Sequence, residues 1–277
     1  MKIKGHEKFV LREGWLTKGI RGVSEDDHLF SGNDGADKLG VGTNMVKSIR
    51  YWMQAFDLLD EDNRTGVRLN KFGEIILDND LYLEDDFTLW LLHSRIAKNS
   101  DRATTWYVFF NNVDAEDFSK EEIFEPVKRE LLLLADKEFP DKSLADDIDV
   151  LLNMYSREKK DEDPEDKNVC PLVELGLIKK DGNRYVRQQP DLRKFSDYII
   201  LYELSSLLNG KKSISIDVIA DTAKHIYQLN RVTVNNILDR LDSAGYIRVD
   251  RTAGLDLIYP DEMIESEKVI EEYYKGR

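Results

Sequence analysis

Apolar residues recur at helical spacing through most of this chain, broken by short alternating runs. In "LGVGTNMVKSIRYWMQAF", residues 39–56, a turn at Gly40 and Gly42 leads to Thr43, an N-cap type of residue, so a helix is expected from there. At about 100° per residue, Met45, Val46, Ile49, Trp52, Met53 and Phe56 share one arc. Thr43, Asn44, Lys47, Ser48, Arg50, Tyr51 and Gln54 share the opposite one. Two shorter helices are expected upstream, at 12–22 and 34–40. Downstream, Gly66–Leu69 and Glu74–Leu77 flank "NKFG" and read as a hairpin. Helix, short helix, longer helix, hairpin is the order of a winged helix-turn-helix.

The same order returns near the C-terminus. "DYIILYELSSLLNG", "SIDVIADTAKHIYQL" and "NRVTVNNILDRLDSAG" read as three helices, and "YIRVDRTAGLDLIY" as a hairpin turning at Ala253-Gly254. Between lie the apolar "FTLWLLHSRIA", two amphipathic helices in 121–160, a charged loop "DEDPEDKNV", and a short helix with a small hairpin in 171–186. The expected fold is mainly α, an α+β class with small β wings. Two winged helices, 1–80 and 196–277, would flank a helical middle at 81–195.

Composition narrows the class. The 277 residues carry a formal net charge of −14, with 41% hydrophobic and 34% charged residues. Residues 1–56 nevertheless hold nine Lys+Arg against seven Asp+Glu, and residues 209–259 seven against six. Acid is therefore concentrated elsewhere, and the expected DNA-facing ends are spared. One cysteine, Cys170, excludes an intrachain disulfide framework and cysteine-rich zinc sites. No signal-peptide core and no membrane-length apolar run is present, so a cytoplasmic protein is expected.

The basic arc of the first long helix is the main candidate for DNA contact. Lys47 and Arg50 would reach phosphate, while Thr43, Asn44, Ser48 and Tyr51 offer hydrogen bonds. Arg64, Arg68 and Lys71 would add wing contacts. The bland alternative is a solvated face on a protein-interaction module. In the C-terminal copy Arg231 and Asn235 are candidates, but Asp239 and Asp242 share their face and would repel phosphate. Glu84 and Asp85 precede an apolar helix carrying His93. They read either as dipole-stabilised N-terminal carboxylates or as ligands for Mg²⁺ or Mn²⁺. His6, Glu7 and Arg12 lie close in sequence and could activate a water beside a held phosphate, though ordinary charged positions fit the spacing as well. Asp141 with Glu165 and Lys167 mimics a PD…ExK nuclease pattern, read as chance in so charged a chain.

"HEKFVLREGWLTKG", "LGVGTNMVKSIRYW", "LYLEDDFTLWLLH", "ATTWYVFFN" and "PEDKNVCPLVELGLI" together resemble the SspB-type DNA nickase family, encoded beside DNA phosphorothioation genes. Leu81 stands where that family usually has proline. The resemblance implies work beside a cysteine desulfurase, an ATPase and a sulfur-transfer enzyme. The polar positions matching the family are His6, Glu7, Arg12, Lys18, Glu84, Asp85 and His93. It implies DNA nicking that lets sulfur enter the backbone. A non-catalytic adapter recruiting the sulfur-transfer enzyme, or a regulator of the operon, are the alternatives.

Overall fold

Three helices followed by a hairpin recur three times along the chain, with a short strand between the first two helices in the second and third copies. The computed structural model describes residues 1–277 except 33, 63–65, 158–168 and 261–264, so Arg64, Glu165 and Lys167 lie outside the described residues. The first module has α1 (Trp15–Glu25), α2 (Gly35–Leu39), α3 (Thr43–Ala55), β1 (Leu59–Asp62) and β2 (Gly66–Leu69). β1 and β2 form an antiparallel hairpin, and Val67 N–H donates to the Asp27 carbonyl at 2.8 Å. The stretch after α1 thus lies against the outer edge of β2. Two linking helices follow, α4 (Lys71–Asn79) and α5 (Asp86–Lys98).

The second module has α6 (Thr104–Asn111), β3 (Asp117–Ser119), α7 (Lys120–Ala135), α8 (Asp141–Ser156), a 3-10 turn at Pro171–Leu175, β4 (Ile178–Asp181) and β5 (Arg184–Arg187). The third has α9 (Asp197–Leu208), β6 (Ile214–Ser215), α10 (Ile216–Tyr227), α11 (Arg231–Ser243), β7 (Ile247–Asp250) and β8 (Leu257–Pro260). A final helix, α12 (Ser266–Lys275), packs on α9. The first sheet has two strands, β1-β2; the other two are ordered β3-β5-β4 and β6-β8-β7, so in each of these the last strand is central.

Local chemistry repeats with the topology. Phe118-Ser119 and Ile214-Ser215 each end a short strand with a serine whose hydroxyl caps the next helix. Both helices then bury an isoleucine four residues on, Ile123 and Ile219. "GLIKKD" at 176–181 matches "GYIRVD" at 245–250: a left-handed glycine, then a strand opening on a buried isoleucine. In the first module Asp57 (φ 53°) holds the left-handed position that glycine fills in the others.

The chain divides into two compact units, Met1–Gln188 and Gln189–Arg277. The first takes in both the segment 1–80 and the helices expected as a separate middle region. Its core is aromatic, with Trp52, Trp90, Trp106, Phe87, Phe109 and Phe110 all buried. α1 and α3 approach closely because Gly19 has no side chain; a Cβ there would lie 2.3 Å from Met53 Sδ.

Two expectations need correction. Glu74–Leu77 is not a strand but the middle of α4. Asn70 accepts from Gly73 N–H as its cap, and Phe72, Ile75 and Ile76 are buried at helical spacing. The partner of β2 is instead the acidic "LDED" of β1. Gly42, not Thr43, is the N-cap of α3, and Thr43 is its first helical residue. The small hairpin expected in the middle region is β4–β5, and β3 extends it to a three-stranded sheet.

Candidate nucleic-acid interface

α3 is held on two sides, and this narrows its exposed face. Ile49 and Met53 pack on α1. On the other side Tyr51 and Trp52 meet the N-terminal strap. The His6 ring stacks on Trp52 (centroids 5.8 Å apart, 12° between planes) and sits edge-on to Tyr51 and Trp106. Gly5 lies so close over Tyr51 that a Cβ would come within 2.2 Å of its ring. Ser48 and Tyr51, expected on the DNA-facing arc, are therefore buried. They face protein because α3 has neighbours on two flanks, where the amphipathic pattern suggested one.

Thr43, Asn44 and Lys47 remain exposed along the first turns of α3. They share a face at i, i+1 and i+4, and Lys47 has no ion pair with any described residue. No acid occurs in Thr43–Ala55, against Lys47 and Arg50. The third helices of the other modules differ. α8 carries Asp141, Asp146, Asp147 and Asp149 against Lys142. α11 carries Asp239 and Asp242 against Arg231 and Arg240.

The other expected cations are engaged within the protein. Arg50 donates to Glu61 on β1 from Nε (3.1 Å) and Nη2 (2.8 Å). Arg68 Nε donates to Asp27 at 3.0 Å. Lys71 is exposed as the first residue of α4, not on the hairpin. Lys18 Nζ donates to the Leu39 carbonyl at 2.8 Å. On α11, Arg231 pairs with Asp217 and lies 4.0 Å from Asp256, while Arg251 pairs with Asp239 at 2.6 Å. Asn235 is half-buried, with its Oδ1 enclosed and unbonded.

The candidate catalytic residues do not converge. His6 is fully buried. Its Nδ1 accepts from Lys8 N–H (3.0 Å), which leaves the ring proton on Nε2 to be donated to Asp147 Oδ1 at 2.9 Å. Asp147 also accepts from Lys4 N–H (2.7 Å) and the Thr105 hydroxyl (2.7 Å). This network pins the strap to α6 and α8, as the sequence spacing of His6 to Glu7 and Arg12 gave no way to see. Glu7 is exposed at φ 50°, and the Arg12 guanidinium lies over the rings of Phe9 and Trp15. His93 is buried, bonded through Nδ1 to the Tyr155 hydroxyl at 2.8 Å and edge-on to Phe110.

Asp85 is the N-cap of α5, its Oδ1 accepting from Phe87 N–H at 2.9 Å, and is only 6% exposed. Glu84 is exposed. The turn holding both is organised by Asp80, which accepts from Glu84 N–H, Asp85 N–H and the Thr88 hydroxyl. Burial raises the Asp80 carboxyl above the usual carboxylate range despite those hydrogen bonds, and the Asp85 charge adds to the rise. Among the described residues no group of three or more His, Cys, Asp or Glu side chains is placed to hold a metal ion. Nor is any described helix long and apolar enough to cross a membrane.

Geometry and sequence together define an α+β protein of repeated helix-and-hairpin modules, one of whose third helices is free of acid and exposed at its N-terminal end. A family described as "Protein of unknown function (DUF4007)" matches residues 3–274, and the chain belongs to it. Two solved structures, "SspB crystal structure" and "Magnesium ion-bound SspB crystal structure", share its fold. Each superposes with a TM-score of 0.87 at 24% identity, covering 99% of this chain and 88% of the other. The resemblance read from the sequence is thereby borne out for family and fold. No curated protein matches the chain in sequence.

Proposed function

We propose that the chain binds duplex DNA through the exposed edge of α3, as a component of an SspB-type DNA phosphorothioation system. The observation that carries this reading is the row Thr43, Asn44 and Lys47 on an acid-free helix, in a chain of net charge −14. A helix lying on a polyanion gains by excluding carboxylates from its contact face. The order of elements in the first module, three helices and then the β1–β2 hairpin, fits a winged helix-turn-helix, whose third helix enters the major groove. In this reading the first and third modules are the two winged helices expected from sequence, and the middle module is a further copy.

α11 fits DNA less well, since its arginines are held by carboxylates and Val232 stands exposed beside Arg231. That face suits the protein partners of such a system, its sulfur-transfer enzyme and ATPase, better than phosphate. The adapter reading follows: DNA is held by α3 and the sulfur-transfer enzyme is recruited to it.

Nicking is the second reading, favoured by the magnesium ion in one of the SspB crystal structures. Here Asp85 is committed to capping and His6 and His93 are enclosed, so the described candidates do not form a site for Mg²⁺ or Mn²⁺. Supercoiled-plasmid relaxation with and without each cation separates the two readings. A non-cutting adapter leaves the plasmid shifted but intact; cation-dependent open circles from the parent, absent in Glu84→Gln, would establish nicking at this turn. The DNA reading itself is tested by Lys47→Ala, which should bind a labelled duplex several-fold more weakly; equal binding would reject the α3 edge.

A further inference from the structure

Glu61 sits where three donors from two different elements converge. Arg50 and Gln54, one turn apart on α3, both donate to its Oε1, Gln54 from Nε2 at 2.7 Å. Arg102, in the loop between α5 and α6, places Nη2 3.7 Å from Oε2. This convergence is built. Asn99 donates from Nδ2 to the carbonyls of Gln54 (3.2 Å) and Ala55 (3.0 Å), and accepts from Arg102 N–H at 2.9 Å. One asparagine thus fastens the Arg102 loop to the end of α3. The Phe30 ring lies 6.0 Å from the Arg50 guanidinium and limits its swing.

We propose that Arg50, Gln54 and Arg102 form a binding site for a DNA backbone phosphate, occupied by the Glu61 carboxylate in the free protein. The inference deepens the DNA reading above and rests on it. Lys47, Arg50 and Gln54 recur at i, i+3 and i+7, so the site continues the exposed row of α3. Glu61 satisfies it poorly. Three N–H groups crowd one carboxylate oxygen, while among the described residues the other is reached only by the more distant Arg102. A phosphodiester offers two non-bridging oxygens to the same donors, and guanidinium groups bind either anion. Two arginines face one glutamate, and both are open to solvent, with side chains 39% and 46% exposed. Glu61 comes from the β1–β2 hairpin and acts as a tethered competitor at high local concentration. Displacing it by rotating its side chain would free the donors without unfolding the hairpin. Asp60 and Asp62 flank Glu61 on the same strand, Asp57 precedes it and Asp101 stands beside Arg102; Asp57, Asp60 and Asp101 are exposed.

The test measures the affinity of the full chain for a labelled duplex at fixed moderate salt. E61Q should bind about tenfold tighter, the size of one charge-assisted contact regained. D60N removes the same charge from the exposed neighbour and should gain no more than about twofold. Adding Arg102→Ala to E61Q should cancel most of the gain. Equal gains in D60N and E61Q, or a gain that survives Arg102→Ala, would overturn the inference. Circular dichroism confirms that each variant is folded. Should E61Q fail to fold, Glu61→Asp withdraws the carboxylate by one methylene and should bind more tightly than the parent, and parental affinity in it would equally overturn the inference. Lys47→Ala in the same series keeps the two ideas apart. If it weakens binding while E61Q matches the parent, only the inferred site fails; if it binds like the parent, the α3 reading itself fails.

Discussion

At the scale of single residues, burial decides which polar groups hold the fold and which can meet a ligand. His6, Asp85 and His93 looked like catalytic candidates because their residue types and neighbours allowed it. Each is enclosed and bonded within the protein. What hid this is distance along the chain: the His6 partner, Asp147, lies 141 residues away. Asp85 was the most legible, since a carboxylate ahead of an apolar helix is a familiar capping pattern. Asp85→Ala should cost about 1 kcal/mol in denaturant unfolding and Asp85→Asn distinctly less, because asparagine caps as well. Equal losses would mean that the charge matters beyond the cap. Cys170 carries a second prediction. Burial pushes its thiol up to about 12 from 9.0, so the folded state favours the protonated form. That contribution is present below pH 9 and is lost as pH rises through about 12. A thiol reagent at pH 8 should leave the native protein unmodified and label it fully in denaturant.

At the scale of elements, periodicity placed the long helices well and misplaced the first hairpin. "FTLWLLHSRIA" and "NRVTVNNILDRLDSAG" are helices because apolar spacing and the caps Asp85 and Asn230 agree. The first hairpin was misread because β1 is "LDED", a strand with almost no β-forming side chains, held by its pairing with β2. The same acidic strand supplies Glu61. Partial burial would raise that carboxyl, but hydrogen bonds from Arg50 and Gln54 and the charge of Arg102 outweigh it and hold it below the usual range. A depressed carboxyl stabilises the fold above its unfolded value near 4.5, and the effect fades as pH falls through the folded value. The melting-temperature difference between parent and E61Q should therefore be largest near neutrality and shrink below pH 4.5. A difference unchanged down to pH 3 would show that the ionised contact does not stabilise the hairpin.

At the scale of the whole molecule, the sequence suggests a helix-and-hairpin order at each end of the chain, and the structure has that order in the middle as well. Strands β3 and β6 are three and two residues long, too short for any alternating pattern to mark them. The repeat "GLIKKD" and "GYIRVD" is present in the chain but is too brief to stand out from chance. The modules share their order of helices and hairpin but differ in charge, and among their third helices only α3 carries no acid. Affinity for DNA should follow that divergence. A fragment of residues 1–188, the first compact unit, should retain most of the duplex affinity of the full chain once its folding is confirmed by circular dichroism. A fragment that folds and has lost all binding would transfer the interface to the C-terminal module.

The most direct test of the account is the salt dependence of duplex binding in Lys47→Ala and Arg231→Ala beside the parent. Lys47 has no ion pair with any described residue, whereas Arg231, on the corresponding helix of the third module, is held by Asp217 of α10. Lys47→Ala should reduce the slope of log affinity against log salt by about one, the signature of a lost phosphate contact, and Arg231→Ala should leave it unchanged. The reverse result, with the slope falling in Arg231→Ala and preserved in Lys47→Ala, would contradict the assignment of DNA to α3.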